Sequence, residues 1–332
     1  MQIDITDPSQ VGDARRRTVA FAEDIGLDET RRGVIAVATT EMATNLVKHA
    51  GRGYLLIHRV FERDNFGLRI ISVDRGPGIA DLAAALTDGH STTGSMGTGL
   101  GSIKRLADTF EIYSASGSGL LVGAEFWRSK RTNSTKESLR LGVVAEPMSG
   151  ESASGDGWGV RSSPEHVTLM LVDGLGHGAM ASEAAREAER IVSLAKDDSL
   201  ISIISDAHDA LKKTRGAALA LARIYTSKNL LTFAGVGNIS ASVVTSAGRR
   251  SLTCHNGTVG QKVVRVQEFA YPWSNESLLI LHSDGLTARW DLQHYPGLVS
   301  KDLSIIAAML HRDFSRGRDD TTVLAARTGR RE

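Results

Sequence analysis

The chain has 332 residues, of which 41% are hydrophobic and 23% are charged, and its formal net charge is +1. This length accommodates two ordinary domains, and the composition is that of a globular protein, which excludes an intrinsically disordered chain. A nearly neutral chain has no overall electrostatic attraction to nucleic acid or to a membrane surface, so we expect neither as a partner.

Cys254 is the only cysteine, which excludes an intramolecular disulfide framework and a cysteine-rich zinc site. No His–Asp pattern accompanies it, so we expect an inert side chain and not a nucleophile. No apolar run approaches the roughly 20 residues needed to cross a bilayer, and the N-terminus lacks the basic and apolar regions of a signal peptide. These features predict a cytoplasmic protein.

The first 128 residues mix helices and strands. Apolar spacing predicts a helix over 9–25, and Asp28 is a suitable N-cap for a longer helix that ends near Ala50. The small, polar and glycine-rich residues 87–98 predict a loop. The remaining predicted elements are strands over 54–60, 68–74, 110–114 and 120–127 and helices over 79–86 and 99–108.

The basic stretch 129–138 has no core-forming residue and predicts a linker between two domains, 1–128 and 139–329. Its basic residues also fit a phosphate-binding tail. Beyond it, strands cluster on either side of a helix pair, which is typical of an α+β sandwich and not of a βαβ repeat. Strands are predicted over 139–145, 167–173, 217–225, 230–236, 241–244, 277–282 and 322–326, and helices over 178–194, 200–214 and 301–310.

Three separated motifs in the first domain outline a nucleotide site. Glu41 and Asn45 lie four residues apart on the predicted long helix, so both side chains leave one helix face. Asp74 ends a predicted strand and can accept a hydrogen bond from an exocyclic amine. Asn45 offers a neutral oxygen to Mg²⁺, and Glu41 can accept a proton from an attacking group.

Glycines occur in the sequence at two positions near these polar residues, where the backbone would have to come close to a bound nucleotide. A glycine turn follows Asp74, and a second glycine loop opens the helix predicted from residue 99. Glycine lets the backbone approach phosphates, and a helix N-terminus favours anions. The residues in this group are Gly76, Gly78, Gly97, Thr98, Gly99 and Gly101.

These motifs resemble the GHKL ATPase superfamily and, within it, the small bacterial serine kinases of the RsbT and RsbW kind. The resemblance covers about residues 3–127 and includes the segments 88–94 and 104–110. It implies a Bergerat α/β sandwich that binds ATP with Mg²⁺. On this resemblance Asn45 would hold Mg²⁺, Asp74 would read adenine, and Glu41 would be the general base for a protein hydroxyl. The glycine group would shape the pocket.

Aspartates in the second domain form another pattern. Asp156 lies in a glycine-rich turn, Asp173 and Asp284 follow apolar strand candidates, and Asp319 and Asp320 precede the last predicted strand. Carboxylates at strand ends can converge at one sheet edge. Unpaired carboxylates repel one another, and divalent cations remove that cost. The pattern therefore predicts a two-metal site that activates water and stabilises charge on a phosphoryl group.

This pattern resembles the PP2C-type serine/threonine phosphatases of the SpoIIE branch, especially the RsbX-like minimal form, over about residues 139–327. It implies an α/β/β/α sandwich that binds two Mn²⁺ or Mg²⁺ ions. Asp173 and the carbonyl of Gly174 would bridge the two metals, with Asp156, Asp284 and Asp319 completing the centre. Whether Asp319 or Asp320 is the ligand stays open.

Two features depart from the phosphatase family. The histidine that the family often carries in the turn at 235–238 is absent, and no residue matches the catalytic arginine of the eukaryotic relatives. His177 follows a Gly-Leu-Gly sequence, and we expect it to fix a turn and not to bind metal.

The two halves together predict a switch protein with opposed kinase and phosphatase activities. By resemblance the substrate is a STAS-domain protein of the anti-anti-sigma or stressosome type, and a sigma factor or another effector is a further partner. In one alternative the first domain is an ATP-gated module that binds a partner without kinase turnover. In the other, the aspartate site is degenerate and the second half is a scaffold.

Overall fold

The computed structural model describes residues 1–62, 65–86, 99–114, 117–129, 138–196, 199–263 and 265–329. The predicted loop at 87–98, with Gly97 and Thr98, and most of the predicted linker lie outside the described residues. The chain forms two compact units. The first comprises Met1–Ser134 and Leu292–Met309, and the second comprises Thr135–Asp291 and Leu310–Glu332. No helix in the described ranges is long and apolar enough to cross a membrane.

The first unit packs helices against one face of an antiparallel sheet with strand order β1-β2-β3-β5-β4. Its core is lined by apolar side chains of α1, α2 and α4 and of the sheet. The elements are β1 (Gln2–Ile5), α1 (Gln10–Asp24), α2 (Glu29–Asn45), β2 (Gly53–Glu62), β3 (Asn65–Asp74), α3 (Leu82–Ala85), α4 (Gly99–Leu106), β4 (Thr109–Ser114) and β5 (Leu120–Trp127).

Helix α2 begins where its sequence indicates, but its last turn before Gly51 differs from the prediction. The Asp28 side chain accepts a hydrogen bond of 2.8 Å from the backbone N–H of Arg31, as an N-cap residue does. The α-helix ends at Asn45, and Leu46–Ala50 form a π-helical turn before Gly51, whose φ is +75°. Such turns are rare and occur frequently at functional sites.

The second unit contains two five-stranded antiparallel sheets and a two-stranded hairpin of β13 and β14. The sheet that we call the β8 sheet has the order β15-β10-β9-β8-β7, and the β16 sheet has the order β12-β11-β16-β17-β6. Its elements are β6 (Ser138–Glu146), β7 (Asp156–Ser162), β8 (Val167–Gly174), α5 (Ala179–Leu194), α6 (Leu200–Leu211), β9 (Ala217–Tyr225), β10 (Leu230–Val236), β11 (Ser240–Thr245), β12 (Gly248–Ser251), β13 (Gly257–Thr258), β14 (Lys262–Val263), β15 (Phe269–Pro272), β16 (Leu278–His282), α7 (Leu303–Phe314) and β17 (Thr321–Gly329).

Two apolar layers hold this unit together. One lies between the two sheets and includes Leu171, Phe233 and Leu281, which are fully buried. The other lies between the β8 sheet and the helices α5 and α6, where Ala188 and Ile204 are fully buried. An antiparallel sheet needs an apolar face on each side that another layer covers. The two apolar layers therefore confirm the predicted α+β class.

The segment Leu292–Met309, which includes the first part of α7, packs within the first unit. Lys301 Nζ lies 3.1 Å from Glu111 Oε1, and a methyl group added at Gly123 would lie 3.1 Å from Ile305 Cδ1. Helix α7 begins two residues later and ends four residues later than the predicted range 301–310. The local apolar pattern locates the helix but carries no information about these distant contacts.

Candidate active site

In the first unit, the end of α2 meets the start of α4. A methyl group added at Gly99 would lie 3.6 Å from Asn45 Oδ1, so the amide side chain faces the first residue of α4. Glu41 lies one helical turn before Asn45, and both side chains are half-buried. The structure therefore brings the predicted Mg²⁺ ligand beside a helix N-terminus, where free N–H groups favour phosphate, and the predicted base lies one turn back on the same helix.

Asp74 joins this arrangement from the end of β3. Its buried carboxylate accepts hydrogen bonds at Oδ1 from the backbone N–H groups of Gly76, at 2.8 Å, and of Leu120, at 3.1 Å. A methyl group added at Gly76 would lie 2.9 Å from Ala50 Cβ, which is closer than real Cβ atoms approach. Glycine is therefore required where the turn packs on the π-helical end of α2.

The other glycines of the predicted pocket divide into two groups. Gly78 has a φ of +73°, a backbone conformation that favours glycine, and Gly101 is buried within α4. Gly97 and Thr98 lie outside the described residues.

In the second unit, two predicted metal ligands face each other at one end of the β8 sheet. Asp156, the first residue of β7, pairs in register with Asp173 near the end of β8. The next residue, Gly174, donates its backbone N–H to Gly155 O at 3.0 Å. A methyl group added at Gly174 would lie 2.3 Å from Ala181 O, so only glycine permits α5 to pack on this backbone.

The β16 sheet supplies the other carboxylates, and Ser283 connects the two sheets. Asp284 follows β16 and Asp319 precedes β17, which pairs with β16. Ser283 Oγ donates a hydrogen bond of 2.6 Å to Asp156 Oδ2 and accepts one of 3.0 Å from the backbone N–H of Thr322. The fully buried serine thus fixes a carboxylate of one sheet against a strand of the other.

Burial and mutual repulsion raise the pKa values in this carboxylate cluster. Burial raises the pKa of Asp156 to about 7, although the hydrogen bond from Ser283 opposes the shift. Burial, followed by repulsion from Asp156 and Asp284, raises the pKa of Asp173 to about 8. Burial also raises the pKa of Asp319. Full ionisation of the cluster is therefore unfavourable in the metal-free protein, and a bound cation would offset that cost.

Asp319 and Asp320 have different environments although they are adjacent. Asp320 is buried, and its two oxygens accept hydrogen bonds of 2.7 Å from the backbone N–H groups of Met148 and Gly155. Asp319 is half-buried and accepts a hydrogen bond of 2.9 Å from the backbone N–H of Asp320. Asp320 therefore fixes the loop that leads to Asp156, whereas Asp319 keeps an oxygen available for a ligand.

Two contacts beside the cluster were not anticipated by the sequence. Asn238 Nδ2 donates a hydrogen bond of 2.6 Å to Asp284 Oδ2, so it orients that carboxylate from the turn where the expected histidine is absent. His177 Nδ1 lies 2.7 Å from Glu151 Oε1, which ties the loop after Asp173 to the loop before Asp156. The place of Asn238 in the turn at 235–238 was a sequence signal for a residue beside the site. No local sequence pattern indicated a role for Ser283 or Glu151.

The donors of the cluster are hard oxygens, which suit Mg²⁺ and Mn²⁺. Within the described ranges, no three His, Cys, Asp or Glu side chains form a group that by itself could hold an ion. Mg²⁺ usually keeps several waters and uses one or two carboxylates, so a closed protein cage is not required. The raised pKa values of Asp156 and Asp173 and the donor chemistry fit such a water-rich centre.

Cys254 differs chemically from the carboxylates described above. Its thiol donates to Ile239 O at 3.1 Å, and burial raises its pKa to about 12. The thiolate is the reactive form, so the side chain is inert at neutral pH, in agreement with the sequence analysis.

Known domain families and proteins match both halves of the chain. The histidine kinase-like ATPase domain family matches residues 6–124, and the family described as stage II sporulation protein E (SpoIIE) matches residues 163–329. The serine/threonine-protein kinase RsbT of Bacillus subtilis is 39% identical over 114 residues, which cover 34% of this chain and 86% of RsbT. The phosphoserine phosphatase RsbX of Bacillus subtilis is 25% identical over 138 residues, which cover 41% of this chain and 69% of RsbX.

Solved structures give the same answer for the fold. A chain from a structure described as "The bacterial stressosome: a modular system that has been adapted to control secondary messenger signaling" has a TM-score of 0.54 and 26% identity, covering 57% of this chain and 100% of that one. RsbX in complex with magnesium has a TM-score of 0.53 and 20% identity, covering 60% of this chain and 99% of that one. The predicted resemblances are confirmed: the chain joins a GHKL-type, histidine kinase-like ATPase domain to a PP2C-type phosphatase domain and belongs to the SpoIIE family.

Proposed function

We propose that this protein is a bifunctional switch that adds phosphate to serine or threonine of a partner protein with one domain and removes such phosphate with the other. The observation that carries the proposal is the carboxylate cluster, in which Asp156 and Asp173 of one sheet lie near Asp284 and Asp319 of the other. A cluster of this charge and burial is costly unless it binds cations, which supports a metal-dependent phosphatase. The kinase half of the proposal rests on the pocket around Asn45.

In the kinase reaction, Asn45 would contribute to holding Mg²⁺ with ATP, and Asp74 would accept a hydrogen bond from the adenine amine. The backbone at Gly99 and Gly101 would approach the phosphates. Glu41 would take the proton of the attacking serine or threonine hydroxyl. The hydroxyl oxygen would bond to the γ-phosphorus as the bond between that phosphorus and the ADP oxygen breaks. The adjacency of Asn45 and Gly99 supports the role proposed for Asn45.

In the phosphatase reaction, Asp156, Asp173, Asp284, Asp319 and the carbonyl of Gly174 would hold two Mg²⁺ or Mn²⁺ ions. Bound ions of this kind lower the pKa of water and stabilise charge on a phosphoryl group. Overall, a water oxygen bonds to phosphorus, the bond to the serine or threonine oxygen breaks, and that oxygen gains a proton. We assign the ligand role to Asp319 because both oxygens of Asp320 accept backbone hydrogen bonds.

The partner that we propose is a STAS-domain protein of the anti-anti-sigma or stressosome type. Similarity to the kinase RsbT and the phosphatase RsbX, and to a chain from a stressosome structure, supports this class. A sigma factor or another effector that binds the first domain is a further proposed partner. One substrate for both domains would give a reversible switch, but the proposal does not require it.

The test is intact-mass analysis of a STAS-domain protein mixed with this enzyme, ATP, Mg²⁺ and Mn²⁺. Asp173→Asn should accumulate the partner with one added phosphoryl group, because its phosphatase site is defective. The wild-type protein should remove that group, and Asn45→Ala should never add it. A phosphoserine peptide supplied separately should be hydrolysed by Asn45→Ala and not by Asp173→Asn.

The main alternative is that the first domain binds ATP and a partner without phosphoryl transfer. It predicts that no variant adds phosphate to any STAS-domain protein, that ATP changes partner affinity, and that ADP production stays at background. Hydrolysis of the phosphopeptide would continue in that case. Absence of phosphopeptide hydrolysis in the wild-type protein with Mn²⁺ would instead contradict the phosphatase assignment.

A further inference from the structure

Arg215 is an exposed cation beside the glycine loop that follows Asp173. A methyl group added at Gly176 would lie 3.0 Å from Arg215 Nη1, and Gly176 has a φ of +87°. Gly176 O in turn lies 3.3 Å from the position of a methyl group added at Gly155, the residue before Asp156. The guanidinium therefore lies over a loop whose other side contacts the backbone of the carboxylate cluster.

The backbone at Arg215 is fixed from two directions. The pairing of β8 with β9 aligns Gly174 with Ala217, and beyond it Leu175 N donates to Gly216 O at 3.0 Å. This register places Arg215 opposite Gly176. On the other side, Gln261 Nε2 donates a hydrogen bond of 2.5 Å to Arg215 O. A side chain that starts from a fixed backbone loses less freedom when it binds a ligand.

The guanidinium of Arg215 is available to a ligand. Across the described part of the chain, none of its N–H groups takes part in a recorded hydrogen bond or ion pair, whereas His177 of the same loop lies against Glu151. A guanidinium carries five donors in a planar fork that matches phosphate oxygens, and it stays charged at any working pH. A free fork over the loop that follows Asp173 has the geometry and the charge to bind a phosphoryl group and not another cation.

We propose that Arg215 binds the phosphoryl oxygens of the phosphoserine or phosphothreonine substrate at the rim of the carboxylate cluster. This inference rests on the proposed phosphatase function and names the residue that distinguishes phosphorylated from unphosphorylated protein there. The first residue of β9 follows two positions later, so the role belongs to the loop between α6 and β9 and not to the metal-binding strands.

The experiment measures hydrolysis of a phosphoserine peptide with saturating Mn²⁺ by wild type, Arg215→Ala, Arg215→Lys and two charge-matched controls. Lys213→Ala removes a positive charge two residues away, and Arg318→Ala removes the arginine next to Asp319. Inorganic phosphate is added as an inhibitor, and Mn²⁺ affinity is measured by calorimetry for each variant. We expect Arg215→Ala to lower kcat/KM and phosphate affinity by about 10- to 100-fold, the usual range for a charge-assisted hydrogen bond. Arg215→Lys should recover part of this loss.

The controls should stay within about threefold of the wild type, and Mn²⁺ affinity should be unchanged in every variant, because Arg215 lies outside the proposed ligand set. If Arg215→Ala hydrolysed the peptide as fast as the wild type does, this inference would be overturned while the proposed phosphatase function would stand. A larger effect of Arg318→Ala than of Arg215→Ala would assign phosphate binding to Arg318 and overturn it as well. A weakened Mn²⁺ site in Arg215→Ala would show a structural role instead. If the wild type hydrolyses nothing, the proposed phosphatase function fails, and this inference fails with it.

Discussion

Ser283 and Asp156 are 127 positions apart in the chain, yet the serine hydroxyl donates a 2.6 Å hydrogen bond to the aspartate Oδ2. The same hydroxyl accepts the backbone N–H of Thr322, so β7, β17 and the residue after β16 meet at one oxygen. This contact sets the distance between the two halves of the carboxylate cluster. Ser283 is therefore a positioning residue for the proposed metal centre.

Replacement of Ser283 by alanine should weaken both the fold and metal binding. The change leaves the buried N–H of Thr322 without an acceptor, which costs about 1–3 kcal/mol in the free energy of unfolding. It also removes a donor that favours the charged form of Asp156, so Mn²⁺ affinity should fall. Denaturant unfolding without metal and calorimetric Mn²⁺ titration measure the two effects.

Ser277→Ala is the matched control for Ser283→Ala. Ser277 is also buried, and its Oγ accepts a 3.0 Å hydrogen bond from the backbone N–H of Ser274. We expect a similar loss of stability with unchanged Mn²⁺ affinity. Equal Mn²⁺ affinities in the two alanine variants would contradict the positioning role of Ser283.

Asp319→Asn and Asp320→Asn should have opposite profiles. Asp320 accepts one backbone N–H at each oxygen, and an asparagine would turn an NH₂ group towards one of them, so the metal-free protein should lose about 1–3 kcal/mol of stability. Asp319 has a raised pKa, so the loss of its charge should leave the metal-free protein as stable or more stable while Mn²⁺ affinity falls. Thermal unfolding with EDTA and with Mn²⁺ separates the two variants, and a reversed pattern would move the ligand role to Asp320.

The stability of the metal-free protein should fall as the pH rises from about 4 to 8. The pKa of Asp156 is raised to about 7 and that of Asp173 to about 8, above the ordinary value of 3.8. The native state therefore holds protons that the unfolded state has released, and this advantage disappears as the pH passes the native values. Asp173→Asn removes one of these groups and should flatten the dependence.

Mn²⁺ should reverse this trend. Metal ligation needs deprotonated carboxylates, so the stabilisation by Mn²⁺ should increase from about pH 6 to pH 8. Midpoints of thermal unfolding in EDTA and in Mn²⁺ across this range measure it. A Mn²⁺ effect that is independent of pH would show that Asp156 and Asp173 do not release protons when metal binds.

Glu41→Gln and Asn45→Ala should separate ATP binding from phosphoryl transfer. Asn45 faces the start of α4, so its loss should weaken the binding of Mg²⁺·ATP. Glu41 would act only as a base, so its amide variant should bind ATP normally and transfer phosphate at least about 100-fold more slowly. A fluorescent ATP analogue and the intact-mass assay measure the two quantities. Lys48→Ala, an exposed residue at the same helix end, should change neither.

The sequence predicted what depends on local spacing. The N-cap at Asp28, the glycine turn after Asp74 and the strands that end at carboxylates all leave short-range patterns of polarity and glycine. Strand β7 was missed because Gly157 and Gly159 alternate with Trp158 and Val160, which are exposed at 39% and 42%. Such a strand has no alternating apolar face towards a core, so its position comes only from pairing with β8.

The unpredicted parts of the site depend on contacts between distant residues. No local signal distinguished Asp319 from Asp320, because the difference lies in the backbone N–H groups that Asp320 receives from the loop at Met148 and Gly155. The π-helical turn at Leu46–Ala50 was also not predicted, and its last residue packs on the distant Gly76. Tertiary packing of this kind overrides local propensity.

The two hydrogen bonds of Asp320 join positions 172 and 165 residues apart, from β17 to the loop before β7. During synthesis, the backbone N–H groups of Met148 and Gly155 lack this acceptor until Asp320 leaves the ribosome. A nascent chain of residues 1–291 lacks Asp320, and it also lacks the segment Leu292–Met309 that packs within the first unit. Neither unit is therefore complete before residues 292–320 have been synthesised, so the two units acquire their last contacts at nearly the same stage of translation.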